Sequence, residues 1–263
     1  MPFAFDLISD LHVDTWSTIF NWTGQATSPF CVVVGDVAQD RRTLIKTLTH
    51  LTQCYQAVFY IDGNDEHRDH YHDLAGSYVD LISQLRKIPN LVYLQDNVVV
   101  INGVAIMGTN GWWGFDFGPD INLADSVQHW QDKTNLGLDT VQYISSLAQT
   151  DANYLARSIR RLQTHYDVRH IVVATHTVPV AALISHDIQL EHNPQFNCMG
   201  NQLLEQALDA DTGRKIHTWC FGHYHSTVDQ IHRGTRFVNN CRGKEKTDYA
   251  KSVFYPKRIV VDS

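Results

Sequence analysis

The sequence predicts an α/β fold in which mixed β-sheets form a layered sandwich flanked by helices, with a metal site at the C-terminal ends of the strands. Three observations predict it. Short apolar runs, rich in branched and aromatic residues, alternate with segments whose apolar residues recur at helical spacing. Two Gly-containing turns sit between apolar runs, so antiparallel hairpins join the parallel strands that the alternation supplies. Five of the runs end in a polar residue able to bind a metal ion.

The strands come first. Apolar runs at Phe3–Ile8, Phe30–Val34, Ala57–Ile61, 170–174 and Ile216–Phe221 read as strands. Asp6 interrupts the first, which makes its pattern the least clean. Residues 98–101 and 104–107 flank Asn102-Gly103, a strong hairpin turn. A second hairpin turns at Arg233-Gly234, and 258–261 reads as a last strand. Helices are expected between them. Residues 41–53 place Leu44, Leu48 and Leu51 on one face. Residues 77–87 do the same with Val79, Ile82 and Leu85, and Pro89 ends that segment. Residues 152–165 align Leu155, Ile159 and Leu162, with Arg157, Arg160 and Arg161 around the rest.

The 263 residues, 43% hydrophobic and 19% charged, show no repeat, low-complexity tract or linker, so one domain over 1–263 is expected. The formal net charge of -7 lacks the basic excess of a nucleic-acid binder, and nucleic acid is not the expected partner. Cys31, Cys54, Cys198, Cys220 and Cys241 are scattered and never in C-x-x-C spacing, against both a disulfide framework and a thiolate zinc site. The N-terminus has no basic and apolar leader pattern, and no apolar run approaches the roughly 20 residues of a membrane span. A cytoplasmic protein with no membrane association is the expectation; oligomeric state is not indicated.

The strand ends carry the chemistry. The first run leads to Asp10-Leu11-His12 and the second to Gly35-Asp36. The third leads to Gly63-Asn64-Asp65-Glu66, the fourth to His176, and the fifth to Gly222-His223-Tyr224-His225. Ligands of open α/β sheets bind outside the carboxyl ends of the strands. Glycine just before a ligand lets the backbone turn sharply toward the site. Each piece alone is weak, but the ordered set of five is specific.

That set, D-x-H … G-D … G-N-x-E … H … G-H-x-H, resembles the calcineurin-like metallophosphoesterase superfamily and spans Asp10 to His225. Two further stretches are similar to small bacterial members: Gly108-Thr109-Asn110-Gly111-Trp112 through Phe117, and Asn240-Cys241-Arg242-Gly243. The resemblance implies that Asp10, His12, Asp36 and His225 hold one metal, that Asp36, Asn64, His176 and His223 hold a second, and that Asp36 bridges them. Oxygen and nitrogen donors without thiolate suit Mn, Fe, Zn or Co, with Mn favoured. The implied function is a binuclear metallophosphoesterase, in which metal-activated hydroxide attacks the phosphorus of a phosphodiester or small phosphomonoester in line.

The sequence departs from the family where the proton for the leaving group is expected. Many members read G-N-H-[DE], and here Asp65 stands in the histidine's place with His67 two residues on. Asp65 and His67 are therefore the candidate catalytic residues, Asp65 acting directly or His67 from a shifted position, unless the natural leaving group is good enough to need no strong acid. The G-D-x-x-D-R-G signature of protein Ser/Thr phosphatases is also absent, since Val37-Ala38-Gln39-Asp40 follow Asp36. Asn64, His192 and Arg242 are candidate substrate contacts, although for Arg242 a structural role, tying down a carboxylate, is favoured. Residues 67–72 suit the mouth of the site or a solvated helix start, and Trp112 and Trp113 suit packing or base stacking. Competing readings are a nuclease acting on DNA or RNA, and a scaffold that keeps the fold without turnover.

Overall fold

The computed structural model describes residues 2–18, 20–118, 122–184, 193–247 and 250–261. Its strands are β1 (Phe3–Ile8), β2 (Phe30–Val34), β3 (Ala57–Ile61), β4 (Leu91–Tyr93), β5 (Asn97–Ile101), β6 (Val104–Thr109), β7 (His170–Thr175), β8 (Ile216–Phe221), β9 (Thr227–His232), β10 (Thr235–Asn240) and β11 (Lys257–Val261). Its helices are α1 (Arg41–Cys54), α2 (Leu74–Leu85), α3 (Leu123–Thr134) and α4 (Leu138–Gln163).

The strands form two mixed sheets, ordered β11-β1-β2-β3-β4 and β5-β6-β7-β8-β10-β9. Within them β1, β2, β3 and β4 run parallel, as do β6, β7, β8 and β10. The antiparallel members β5, β9 and β11 lie at the edges, two of them through the hairpins the sequence predicts. Strand alternation then builds the layers. Phe59 and Ile61 of β3 pack with Ile106, Val172 and Val238 of the other sheet, which makes the core between the sheets. Val58 and Tyr60 point the other way, onto Leu44, Leu48 and Leu51 of α1 and Leu81 of α2. On the far side, Leu155, Ile159 and Leu162 of α4 cover Val173 and Trp219. Burying each such side chain contributes roughly 1.5–3 kcal/mol.

Asp6 does not break β1, because its buried carboxylate accepts hydrogen bonds from the Thr27 amide (2.7 Å) and the Tyr55 hydroxyl (2.9 Å). Helix α1 begins where Asp40 caps the Thr43 amide at 2.8 Å. Helix α2 begins three residues before its expected start, because the Asp73 carboxylate caps the Gly76 amide.

Two elements were hidden from periodicity. Strand β4 is too short to show a pattern, and α3 carries little apolar surface besides Val127 and Trp130. Helix α4 also starts far upstream of residue 152. Its first half buries Val141, Ile144 and Ala148 against Trp112, Trp113, Phe115 and Trp130. That half therefore packs on an aromatic cluster rather than on a sheet.

Candidate metal centre

The parallel strands of both sheets end at one edge, and the chain is stitched together there. Ser9 and Cys241 form a parallel bridge, with the Ser9 amide donating to the Asn240 carbonyl at 3.0 Å and the Arg242 amide to the Ser9 carbonyl at 3.1 Å. The Asp10 amide donates to the Gly35 carbonyl and the Gly222 amide to the His176 carbonyl. The loops after β1, β2, β7, β8 and β10 therefore meet.

Four of the seven expected donors sit in the left-handed region: Asp10 (φ 49), His12 (φ 42), Asp36 (φ 51) and His223 (φ 63). Non-glycine residues seldom adopt that conformation, and where they cluster the surrounding hydrogen bonds must hold them. The Glu66 carboxylate is one such clamp. It accepts from the amides of Val37 (2.7 Å), Gly63 (2.7 Å) and Asp36 (3.0 Å), tying the β2 and β3 loops together. Glycine is required twice for space. A Cβ on Gly63 would collide with the Asp36 carboxylate, and one on Gly35 with the His176 ring.

The donors fall into two groups. Asp10, His12, Asp36 and His225 offer ligand atoms that all lie within 4.8 Å of one another, and Asp36, His176 and His223 do the same. Asp36 belongs to both. Its Oδ2 lies 3.7 Å from His12 Nε2 in the first group, and its Oδ1 lies 3.3 Å from His176 Nε2 in the second. Asn64 Oδ1 stands 3.1 Å from His176 Nε2 and so joins the second group.

Two ring tautomers follow from carbonyl acceptors. Nδ1 of His176 donates to the Val34 carbonyl at 2.9 Å, which leaves Nε2 facing the group. Nε2 of His223 donates to the Cys198 carbonyl at 3.2 Å, which leaves Nδ1 facing the group. The Trp113 ring stacks on His223, with centroids 5.6 Å apart and planes 18° from parallel.

The electrostatics fit a cation. Burial, reinforced by His176, pushes His223 down to about 3, and burial pushes His225 down to about 4. Both rings are therefore neutral near pH 7 and carry lone pairs. Burial and the neighbouring Asp65, Glu66 and Asp10 carboxylates push Asp36 well above the ordinary carboxylate range. Imidazole nitrogens face each other across 3.0 Å (His12 and His225) and 3.2 Å (His176 and His223). Lone pairs and carboxylates converge here with few protons to share. A divalent cation in each group would turn that mutual repulsion into coordination by a set of hard oxygen and borderline nitrogen donors.

The remaining sequence expectations divide. Asp65 is at the site: its Oδ2 lies 2.7 Å from Lys244 Nζ and 3.3 Å from His12 Nδ1. Burial raises its pKa, but the His12 hydrogen bond and the Lys244 ammonium outweigh that and hold the carboxyl well below its usual range. His67 is not at the site. It is fully buried behind it, with Nε2 3.0 Å from Asp62 Oδ2 and Nδ1 2.8 Å from Ser77 Oγ. Both ring nitrogens are already used, which removes His67 as a proton donor to substrate. Arg242 takes the structural place favoured for it over substrate contact. Its guanidinium lies over the Trp16 ring, 3.9 Å from the centroid, and it is not among the described residues lining the adjoining cavity. His192 lies outside the described residues.

That cavity, ≈ 1020 Å³, opens from Asp36, Asn64, Asp65, His223 and His225 toward α3. Trp113 lines it, whereas Trp112 is buried core that donates from Nε1 to the Tyr78 hydroxyl. Arg68, Asp69, Tyr71 and His72 of the 67–72 run also line it. Sequence reasoning missed Lys244, although its place just beyond Asn240-Cys241-Arg242-Gly243 was a usable signal. It also missed Glu66 as a clamp, and the α3 side chains.

No family model matches the chain, and no curated protein matches it in sequence. Solved structures do. The phosphopantetheinyl hydrolase PptH from Mycobacterium tuberculosis superposes with a TM-score of 0.69 at 17% identity, covering 98% of this chain and 96% of that one. A dimetal phosphatase from Danio rerio superposes with a TM-score of 0.55 at 13% identity, covering 100% and 94%. With two mixed sheets between helices and the donors gathered at their shared edge, the chain has the fold of the calcineurin-like metallophosphoesterases.

Proposed function

We propose that this protein is a binuclear metal-dependent phosphoesterase that hydrolyses a phosphodiester or a small phosphomonoester, with the diester favoured. The observation that carries the reading is Asp36, whose two carboxylate oxygens face two separate donor groups. Similarity of fold to a phosphopantetheinyl hydrolase and a dimetal phosphatase supports it. A pair of divalent cations, when bound, supplies an activated water and neutralises charge on the phosphoryl oxygens. The chain's own residues then do the rest. Asp36 and Asn64 line the cavity beside His223 and His225, so a phosphoryl group enters against the donors themselves. Lys244 and Arg68 add positive charge on either side of Asp65. The preference for a diester rests on the proton donors. Asp65 is held ionised and His67 is sealed, so a substrate that needs little protonation of its leaving group suits the site.

The test is hydrolysis of bis-p-nitrophenyl phosphate and p-nitrophenyl phosphate by the Mn²⁺-loaded protein, with Asp36→Asn in parallel. The diester is expected to turn over faster, and the variant to lose at least about 10²–10³-fold in kcat. A folded variant with wild-type rates sinks the two-metal reading. Turnover of the monoester alone moves the phosphomonoesterase ahead.

A further inference from the structure

The cavity is larger than a single phosphoryl group requires. Its ≈ 1020 Å³ compares with roughly 300–1,000 Å³ for pockets that enclose drug-sized ligands. The cations at its two ends differ in their partners. At the donor edge Asp36 faces the candidate metals, and Lys244 and Arg68 are paired with Asp65. At the far end α3 presents His129 and Lys133, four residues apart and therefore one above the other on a single helix face.

Neither side chain is paired with a carboxylate among the described residues. The nearest polar partner of Lys133 is the neutral Gln195 carboxamide, 3.3 Å from Nζ, and no carboxylate among the described residues pairs with it. His129 lines the same wall, and its Nε2 is shielded from water without a hydrogen-bond partner among the described residues. An unpaired buried polar atom is costly unless a ligand satisfies it.

Aromatic rings lie between the two ends. The Tyr71 hydroxyl donates to the Asn64 carbonyl at 3.4 Å, and the Tyr71 ring lies 5.8 Å from the Trp130 ring of α3. A group reaching from the candidate metals to α3 must therefore cross an apolar face.

We propose that His129 and Lys133 bind a second phosphate-class oxyanion of the substrate, joined to the reacting phosphoryl group by an organic spacer that lies against Tyr71 and Trp130. The inference rests on the phosphoesterase reading and narrows its substrate class to esters with two separated anionic groups.

The experiment compares linear alkane α,ω-diphosphonates of increasing length with alkyl monophosphonates of the same lengths. Neither is hydrolysable, and binding to the Mn²⁺-loaded protein is measured by calorimetry. At one spacer length the diphosphonate is expected to bind at least about tenfold tighter than its monophosphonate partner. In His129→Ala/Lys133→Ala that ratio should fall to about one, while Lys133→Arg should keep it. Equal binding of the two series at every length overturns the proposal. So does an advantage that survives in the double variant, because other cations then supply it. Turnover of bis-p-nitrophenyl phosphate is followed alongside. A protein that cleaves the diester without a diphosphonate advantage loses the second subsite and keeps the phosphoesterase reading. A protein that binds the diphosphonate through Lys133 but never cleaves the diester keeps the subsite and loses the reading.

Discussion

Two clusters of histidine and carboxylate flank the loop after β3, and they have opposite character. On the cavity side, His12, His176, His223 and His225 crowd against Asp10 and Asp36. Behind the loop, His67 meets Asp62, and that carboxylate also accepts from Tyr93, from Asn110 Nδ2 (2.9 Å) and from the Tyr78 hydroxyl (3.2 Å). The second cluster is closed: Asp62 has donors on both oxygens, and both nitrogens of His67 are used. The first is open, with ring nitrogens facing ring nitrogens and more acceptors than protons. Closure makes a cluster structural, and the surplus of lone pairs makes one a receptor for cations. The two are nonetheless joined. Asn110 donates to Asp62 through its side chain, and its backbone carbonyl accepts the His176 amide at 2.9 Å.

The contrast can be broken most severely at Glu66, which holds the open cluster's backbone. Glu66→Ala leaves three buried amides without their acceptor, at about 1–3 kcal/mol each. A stability loss on the order of 5 kcal/mol is expected in chemical denaturation, together with loss of bound metal. An unchanged midpoint would show that Glu66 does not clamp the loops.

The closed side can be probed by pH at Asp151, which accepts from the Gly111 amide (2.8 Å) and Gln95 Nε2 (3.0 Å). Burial pushes its carboxyl up to about 7 from 3.8, with the hydrogen bonds only partly opposing. A raised carboxyl favours folding when protonated. Its contribution is therefore complete below the unfolded pKa and is lost as pH rises toward 7. That change is worth up to about 4 kcal/mol. Asp151→Asn should flatten the stability profile between pH 4 and 7, and a profile as steep as wild type contradicts the assignment.

His67→Ala sharpens the comparison itself. It opens the closed cluster and should cost about 1–3 kcal/mol of stability, while kcat on the diester stays within a few-fold. A kcat loss as large as that of Asp36→Asn would return His67 to the catalytic machinery.

The smallest effect is expected at Trp113. Trp113→Leu removes the ring stacked on His223, worth about 0.5–1.5 kcal/mol, and should weaken metal binding by a few-fold in a competitive chelator titration.

Much of this was readable in the chain. The runs at β1, β2, β3 and β8 matched their strands because buried parallel strands are short, continuous and apolar. Asn102-Gly103 matched its hairpin because both residues take the positive φ such a turn needs. Helix α3 was not readable, since it buries only Ser126 and Trp130; the first half of α4 does place Val141, Ile144 and Ala148 at helical spacing, but the buried Asp151 interrupts that stripe before the part read from the sequence. His67 was misread for a related reason. Two residues beyond Asp65 is close in sequence, but the helical turn that starts there rotates it to the opposite side of the loop.

The sequence by itself determined which donor types follow which strands, because a short apolar run ending in Gly and a polar residue constrains only local backbone. Tertiary structure decided which histidines come together. His12 and His225 meet at 3.0 Å although 213 residues separate them, and only the convergence of two sheets at one edge brings that about. It also decided that Asp36 faces both groups, that Lys244 neutralises Asp65, and that α3 closes the far end of the cavity. These depend on how separately folded layers pack, and packing geometry is a property of the whole chain.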